Sequence, residues 1–495
     1  MYFDFDRLAF AATAHAPDAP AVVDAKGALT WAQLRSATDQ WMVQATAAGA
    51  KPDVPLVISG HKELAFLVAI LGCLRLGVPF VPVDVINPAQ RIARIGELVQ
   101  AALRYDAQAD AFVPTGQAGA VLAERGLAYI MFTSGSTGDP KGVQIGRESV
   151  ALFAGWIRDD VKPGPAPAFM DQMLFSFDFS LFNWVGALVT GGCCVLCPRE
   201  IIADREDFAA YLHATHVNVW ASTPSFVRQQ LLDPAFDGAH LPDLRMFVFG
   251  AESLTPTVAE ALWQRFPGAR IVNSYGPTEA TCSTTWVEID SVLRAAAPLP
   301  FPIGRAKPYA EVFIDDGEIC IAGDHVMRGY LNRPDLNATR LFEYNGKRAY
   351  RSGDLGEIDA QGLVTFRGRR DDQIKMHGYR IELAEIDASL ATLPGIRAGA
   401  AVALRRPDGA IVRMIGFVEP ETSGPPGLHA VPEGLSDWKA LLGKRLPSYM
   451  IPSELLVCHG FPTTNSDKAD RKQLERMYMD ARARPGTKGK TESQA

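Results

Sequence analysis

Thr133-Ser-Gly-Ser-Thr-Gly-Asp-Pro-Lys-Gly142 follows directly on the apolar run Ala128-Tyr-Ile-Met-Phe132. The ten residues hold three glycines, four hydroxyls and one lysine. This pattern reads as a buried strand emptying into a small, hydroxyl-rich loop. Glycine lets the backbone take positive φ and approach a ligand closely. Successive N–H groups in such a loop form a concavity that attracts anions. The hydroxyls add neutral donors, and Lys141 adds a point charge suited to phosphate. The loop therefore predicts polyphosphate binding and use of a nucleotide. It is not a Walker A loop, because Gly138 is followed by Asp139-Pro140 and the lysine comes only after the proline. Pro140 lacks an N–H and blocks the helix that follows a Walker loop.

Downstream of this loop, strand and helix patterns alternate. Val217-Asn-Val-Trp-Ala-Ser222 reads as a strand, and Thr223-Pro224 as an N-cap with proline at the first helical position, opening a helix through Leu232. Arg245 to Phe249 is the next strand. Thr255-Pro256 opens another helix ending near Phe266, and Arg270-Ile-Val-Asn-Ser274 is a third strand. This spacing predicts a parallel sheet covered by helices, with ligands beyond the carboxyl ends of its strands. The three loops after these strands should face one crevice. After Ile303 the pattern changes to hairpins, around Asp315-Asp-Gly317 and Asp359-Ala-Gln-Gly362. Charge density rises from Arg367 to Lys375, which marks a domain boundary. The stretch from Glu419 to Glu433 is rich in Gly and Pro and reads as a loop, and the last fifteen residues read as disordered.

Composition excludes several classes. The 495 residues exceed one ordinary domain, and 49 basic against 56 acidic residues leave a net charge of −7. A nucleic-acid partner would require a basic stripe, and there is none. The most apolar run, Ala65 to Val83, contains Arg75, two glycines and Pro79, so it reads as a buried helix and strand rather than a bilayer span. Asp4 and Asp6 stand where a secretory signal is positive, so the expected compartment is the cytoplasm. Seven cysteines do not form a disulfide framework, and Cys193, Cys194 and Cys197 read as an inert buried strand.

Further motifs follow in order: Phe177-Asp-Phe-Ser180, Asn273-Ser-Tyr-Gly-Pro-Thr-Glu-Ala-Thr281, Tyr350-Arg-Ser-Gly-Asp-Leu355, Gly368-Arg-Arg-Asp-Asp-Gln-Ile-Lys375, Gly378-Tyr-Arg-Ile-Glu-Leu383 and Asp467-Lys-Ala-Asp-Arg-Lys472. Together with the glycine-rich loop, this set resembles the adenylate-forming enzymes: acyl-CoA synthetases, luciferases and peptide-synthetase adenylation domains. Within them it is most similar to free-standing amino-acid–carrier protein ligases of the D-alanine type. The resemblance implies an α/β fold. A large N-terminal domain, residues 1–370, would carry mostly parallel helix-covered sheets and a small β part. A small mobile α+β domain would span 371–480, with a disordered tail at 481–495. It also implies two half-reactions, formation of an aminoacyl-adenylate from ATP with Mg2+ and transfer of the aminoacyl group to the phosphopantetheine thiol of a separate carrier protein. The chain itself is expected to act as a monomer.

The resemblance assigns residues. Lys468 matches the lysine that bridges the substrate carboxylate and the α-phosphate, and Glu279 matches the magnesium-binding glutamate. Thr133, Ser134, Gly135, Ser136, Thr137, Gly138 and Lys141 would bind phosphate. Tyr275 would stack on adenine, with Asn273 on its amino edge, Gly250-Ala251 on its other face, and Gly276 and Thr278 nearby. Asp354 would accept both ribose hydroxyls, with Arg369 at ribose or phosphate. Asp371 falls at the hinge, and Gly378 on the face that lines the pantetheine tunnel. Asp178 matches the aspartate that binds a substrate ammonium. Phe179, Phe182, Ala221, Phe247, Phe249, Ser274, Cys282 and Ser283 complete the expected pocket. Three or four phenylalanines there favour a small amino acid. The family usually has Asn-Gly before the catalytic lysine, whereas this chain has Ser466-Asp467, which adds a negative charge. Two alternatives remain open at this point: a CoA ligase for a short carboxylic acid, against which Asp178 argues, and an inactive relative serving as a nucleotide-binding scaffold.

Overall fold

The computed structural model describes residue 10 and residues 16–135, 140–376, 378–406, 411–463 and 469–483. Its frame is two large sheets packed through buried helices. One sheet carries, in spatial order, Arg305–Ala306, Thr285–Glu288, Arg270–Tyr275, Met246–Phe249, Val219–Ser222, Ala168–Asp171, Cys193–Leu196, Pro20–Asp24 and Gly27–Thr30. The six strands from Arg270–Tyr275 to Pro20–Asp24 are mutually parallel, and the edges are antiparallel. The second sheet is built around Leu127–Thr133, Phe80–Asp84 and Leu56–Gly60, with Lys141–Gly146 antiparallel beside the first of these.

Sequence explains how the two sheets meet. The helix Leu64–Leu76 is apolar nearly all round, ends at Gly77 with φ 71°, and touches strands of both sheets. The helix Leu181–Thr190 is similarly buried, against Ala168–Asp171 and Cys193–Leu196. Thr223 caps the helix Pro224–Gln230 by accepting the Phe226 N–H. This short helix and Pro256–Arg265 cover the opposite face of the first sheet, where a second core contains Trp220, Phe247 and Phe266. The cysteine-rich run is a buried parallel strand, and all seven cysteines are free.

A smaller sheet pairs Glu311–Asp315 with Glu318–Ala322 across the Asp315-Asp-Gly turn, and Lys347–Ile358 with Val364–Arg369. Beyond it lie the hairpin Gln373–Met376/Tyr379–Glu382 and a four-stranded sheet of Ile396–Arg405, Ile411–Pro420, Glu454–His459 and Gly427–His429. The loop expected from Glu419 to Glu433 thus contains a short strand at Gly427–His429. Its partner strand supplies the pairing that a Gly- and Pro-rich composition conceals. The last helix, Arg471–Ala483, continues into the expected tail. Among the described residues no helix is long and apolar enough to cross a membrane.

Candidate active site

The loops after Val219–Ser222, Met246–Phe249 and Arg270–Tyr275 do converge on one crevice. A cavity of about 530 Å3 is lined by Pro224, Ala251, Glu252 and Tyr275 at or just beyond the ends of these strands, and by Asp354 and Arg369 from the smaller sheet. Tyr275 is buried and donates its hydroxyl to Asp354 Oδ2 at 2.5 Å. Arg369 pairs with the other oxygen of Asp354 and holds Asp371 through two bonds of 2.7 and 2.9 Å. Asn273 donates its amide to the Pro302 carbonyl at 2.8 Å, which fixes its orientation. Ala251 takes φ +66°, a conformation an alanine adopts at an energetic cost. A Cβ on Gly276 would lie 2.6 Å from the Ser283 backbone, so that turn excludes any side chain.

Glu279 stands deeper, fully buried. Burial alone would raise its pKa, but the Arg380 guanidinium, 2.6 Å away, together with Lys141 and the Tyr330 hydroxyl at 2.7 Å, brings it down to about 2. Its carboxylate is therefore ionised throughout the physiological range. No cluster of three or more His, Cys, Asp or Glu side chains suited to a metal occurs among the described residues. One ionised carboxylate without a cage fits Mg2+, which takes most of its ligands from phosphate and water.

In the glycine-rich loop, Ser134 donates to the Arg380 carbonyl and accepts the Glu382 N–H, both at 3.0 Å. The Gly135 N–H points at Glu385 Oε2 at 3.1 Å, and Lys141 pairs with Glu382 at 3.0 Å. Thr133 presents a buried hydroxyl with no partner among the described residues. Ser136, Thr137 and Gly138 lie outside the described residues. So do Lys468 and the Ser466-Asp467 pair; the flanking Thr463 and Ala469 form an antiparallel bridge. Gly378 faces the large sheet: its N–H donates to Glu252 at 2.8 Å, φ is +85°, and a Cβ there would lie 2.7 Å from Thr223.

Asp178 opens the short turn Asp178–Ser180, whose cap position is Phe177, so it does not serve as the cap. It is 5 % exposed, and its Oδ2 has no hydrogen-bond partner among the described residues. Burial, opposed by a hydrogen bond from Thr278, pushes its pKa up to about 6. The carboxylate faces a cavity of about 30 Å3, walled by Phe177, Phe179, Gly250, Ser274 and Cys282, and by Lys375 and Arg380 from the hairpin. Phe182 packs behind Phe179 at 6.4 Å between ring centroids. Ala221 shares this core, and Ser283 is buried beside Cys282.

Phe247 and Phe249 correct the expected pocket. They stack on one another and pack, with Trp220 and Phe266, in the core on the far side of the sheet. Successive strand residues face opposite sides. Val248 therefore joins the core shared with Phe179, and Gly250 comes after the strand ends. The two-residue period of Met246–Phe249 carried this signal. Sequence reading also missed Arg380, Glu382, Glu385 and Tyr330 as site residues. Arg380, Glu382 and Glu385 lie in the Gly378–Leu383 motif or just after it, but no local pattern says what they would touch.

Comparison with known proteins fits this geometry. A model described as AMP-binding enzyme matches residues 9–118 and 96–331. The chain belongs to the AMP-binding enzyme family. It is 34% identical over 491 residues to a D-alanine–D-alanyl carrier protein ligase of Bacillus licheniformis, covering 93% of this chain and 96% of that one. It is 37% identical over 461 residues to the ligase of the same name from Bacillus velezensis, covering 87% and 90%. Among solved structures, a holo NRPS protein containing adenylation and PCP domains superposes with a TM-score of 0.77 at 26% identity, covering 94% of this chain and 83% of that one. This AMP-binding chain thus shares its α/β architecture with adenylation domains.

Proposed function

We propose that this protein is an AMP-forming ligase that activates a small amino acid with ATP and passes it to the phosphopantetheine thiol of a separate carrier protein. The observation that carries the reading is Asp178 Oδ2, a buried carboxylate oxygen with no hydrogen-bond partner among the described residues, facing a small cavity that Lys375 and Arg380 also wall, beside the nucleotide crevice. A buried carboxylate calls for a cation, and the ammonium of an amino acid supplies one. The cavity volume and the rings of Phe179 and Phe182 favour a side chain of glycine or alanine size. The relatives named D-alanine–D-alanyl carrier protein ligase make alanine the first candidate.

In this reading Tyr275 and Ala251 sandwich adenine, Asp354 accepts the ribose hydroxyls, and Lys141 with the glycine-rich loop holds phosphate. Glu279 would hold Mg2+, which screens the triphosphate when bound. The attacking carboxylate and the phosphate repel, by about 4 kcal/mol for unit charges 4 Å apart at a dielectric near 20. Lys468 would supply the cation that offsets this repulsion in the transition state. The part beyond Asp371 would turn about that residue, alternately presenting Lys468 and the Gly378 face. The reaction is placed in the cytoplasm, where ATP is available.

The test is amino-acid-dependent ATP–pyrophosphate exchange, with D- and L-forms assayed separately. Stimulation by one small amino acid, followed by thioester formation on a carrier protein rather than CoA, is expected. Absence of stimulation by every amino acid would end the proposal.

A further inference from the structure

Three side chains of one short segment meet two donors of the glycine-rich loop and the Glu279 carboxylate one for one. Glu385 Oε2 accepts the Gly135 N–H at 3.1 Å, and Glu382 Oε1 accepts from Lys141 at 3.0 Å. Arg380 Nη1 donates to Glu279 Oε2 at 2.6 Å. Two anions thus sit on the donors of the phosphate loop, and one cation sits on the buried carboxylate that fits a metal. This is the charge pattern of a divalent metal with pyrophosphate. The contacts are well defined. Ser134 bonds to the backbone of both Arg380 and Glu382, Arg91 pairs with Glu385, and Tyr330 braces Glu279. Each group on the crevice side is buried or nearly so, and such groups are not left unpaired without cost.

We propose that Arg380, Glu382 and Glu385 form an internal stand-in for magnesium pyrophosphate. The two compete for the same partners: the segment seats only when pyrophosphate and its metal have left, and once seated it bars their return. The inference rests on the proposed function and adds a direction to it. A seated segment shields the aminoacyl-adenylate from attack by pyrophosphate, which would regenerate ATP. Glu382 and Glu385 act here as positioning residues on the glycine-rich loop, whereas Arg380, which holds Glu279, also walls the Asp178 cavity.

The experiment uses the full chain and two readouts that are not turnover. Hydrogen exchange measures the amides of residues 373–385 with Mg2+ and pyrophosphate, and separately with AMP. Magnesium pyrophosphate should speed exchange in this segment several-fold; AMP should not. Calorimetry then measures magnesium pyrophosphate binding to wild type, Arg380→Ala and the milder Glu382→Gln. Removing a competitor should tighten binding, about tenfold for Arg380→Ala and by less for Glu382→Gln. Exchange that stays unchanged or slows at saturating magnesium pyrophosphate would overturn the proposal. So would unchanged or weaker binding by both variants, which would make these side chains bystanders or direct phosphate ligands. Amino-acid-dependent exchange activity in the same preparation separates the two failures: if it is present while the segment does not respond, only this inference falls. If the chain binds no magnesium pyrophosphate and shows no such activity, the proposed function falls with it.

Discussion

Replacing Asp178 by Asn should weaken amino-acid use and strengthen the empty fold at the same time. The folded protein raises this carboxyl from 3.8 to about 6. A shift of about two units corresponds to roughly 3 kcal/mol. Because the folded pKa lies above the ordinary one, protonation favours folding. The penalty is absent below pH 3.8, grows as pH rises toward 6, and is complete above it. At neutral pH the Asn variant without substrate should therefore melt higher, with about 3 kcal/mol as the upper bound. The substrate ammonium, in contrast, loses its ion partner. Breaking a buried pair by removing one member costs about 3–5 kcal/mol, which is roughly a 10²- to 10⁴-fold fall in kcat/KM for the amino acid. In the wild type, kcat/KM should fall about tenfold per unit as pH drops below about 6, as the carboxylate is neutralised. The variant should lack that inflection. ATP–pyrophosphate exchange across pH 5–8, with melting curves of both proteins, checks all three effects. A variant that keeps kcat/KM within tenfold, or a wild type whose amino-acid dependence ignores pH in this range, would refute the assignment of Asp178 to the ammonium.

Replacing Gly378 by Leu forces a side chain into φ +85° and against Thr223, so thioester formation should slow at least tenfold while adenylation changes less; single-turnover rates of both steps measure the ratio. Lys468→Ala should reduce adenylation by roughly 10²- to 10³-fold and leave transfer from supplied adenylate nearly intact; equal loss in both steps would remove its assigned role. Phe179→Ala should open the small cavity and shift preference toward larger aliphatic amino acids by about 1–3 kcal/mol, read from exchange rates across a side-chain series. Phe247→Leu should lower the melting temperature without moving that preference, because its ring packs on the other side of the sheet.

Much of this molecule is written in short-range pattern. The apolar run before Thr133, the cap at Thr223-Pro224 and the turn at Asp315-Asp-Gly317 depend on neighbours within a few residues, and each forms the element its residues favour. Family motifs likewise mark Asp178, Glu279, Tyr275 and Asp354 in the chain itself; the fold lines the two cavities with Asp178, Tyr275 and Asp354 and buries Glu279 against Tyr330 and Arg380. Local pattern did not place Phe247 and Phe249, although strand alternation contained the answer. Pocket positions carried over from a resemblance do not say which side of a sheet each ring faces.

Tertiary structure alone decided the rest. Arg380 meets Glu279 across 101 residues of chain, and Glu385 meets Gly135 across 250. Nothing in the spacing of either segment encodes such a meeting. The Asp178 oxygen without a partner among the described residues is likewise invisible in sequence, since an aspartate's partners depend on what burial brings near it. Local sequence fixes backbone preferences and residue chemistry, whereas burial and charge pairing between distant segments arise only when the sheets and the hairpin pack together.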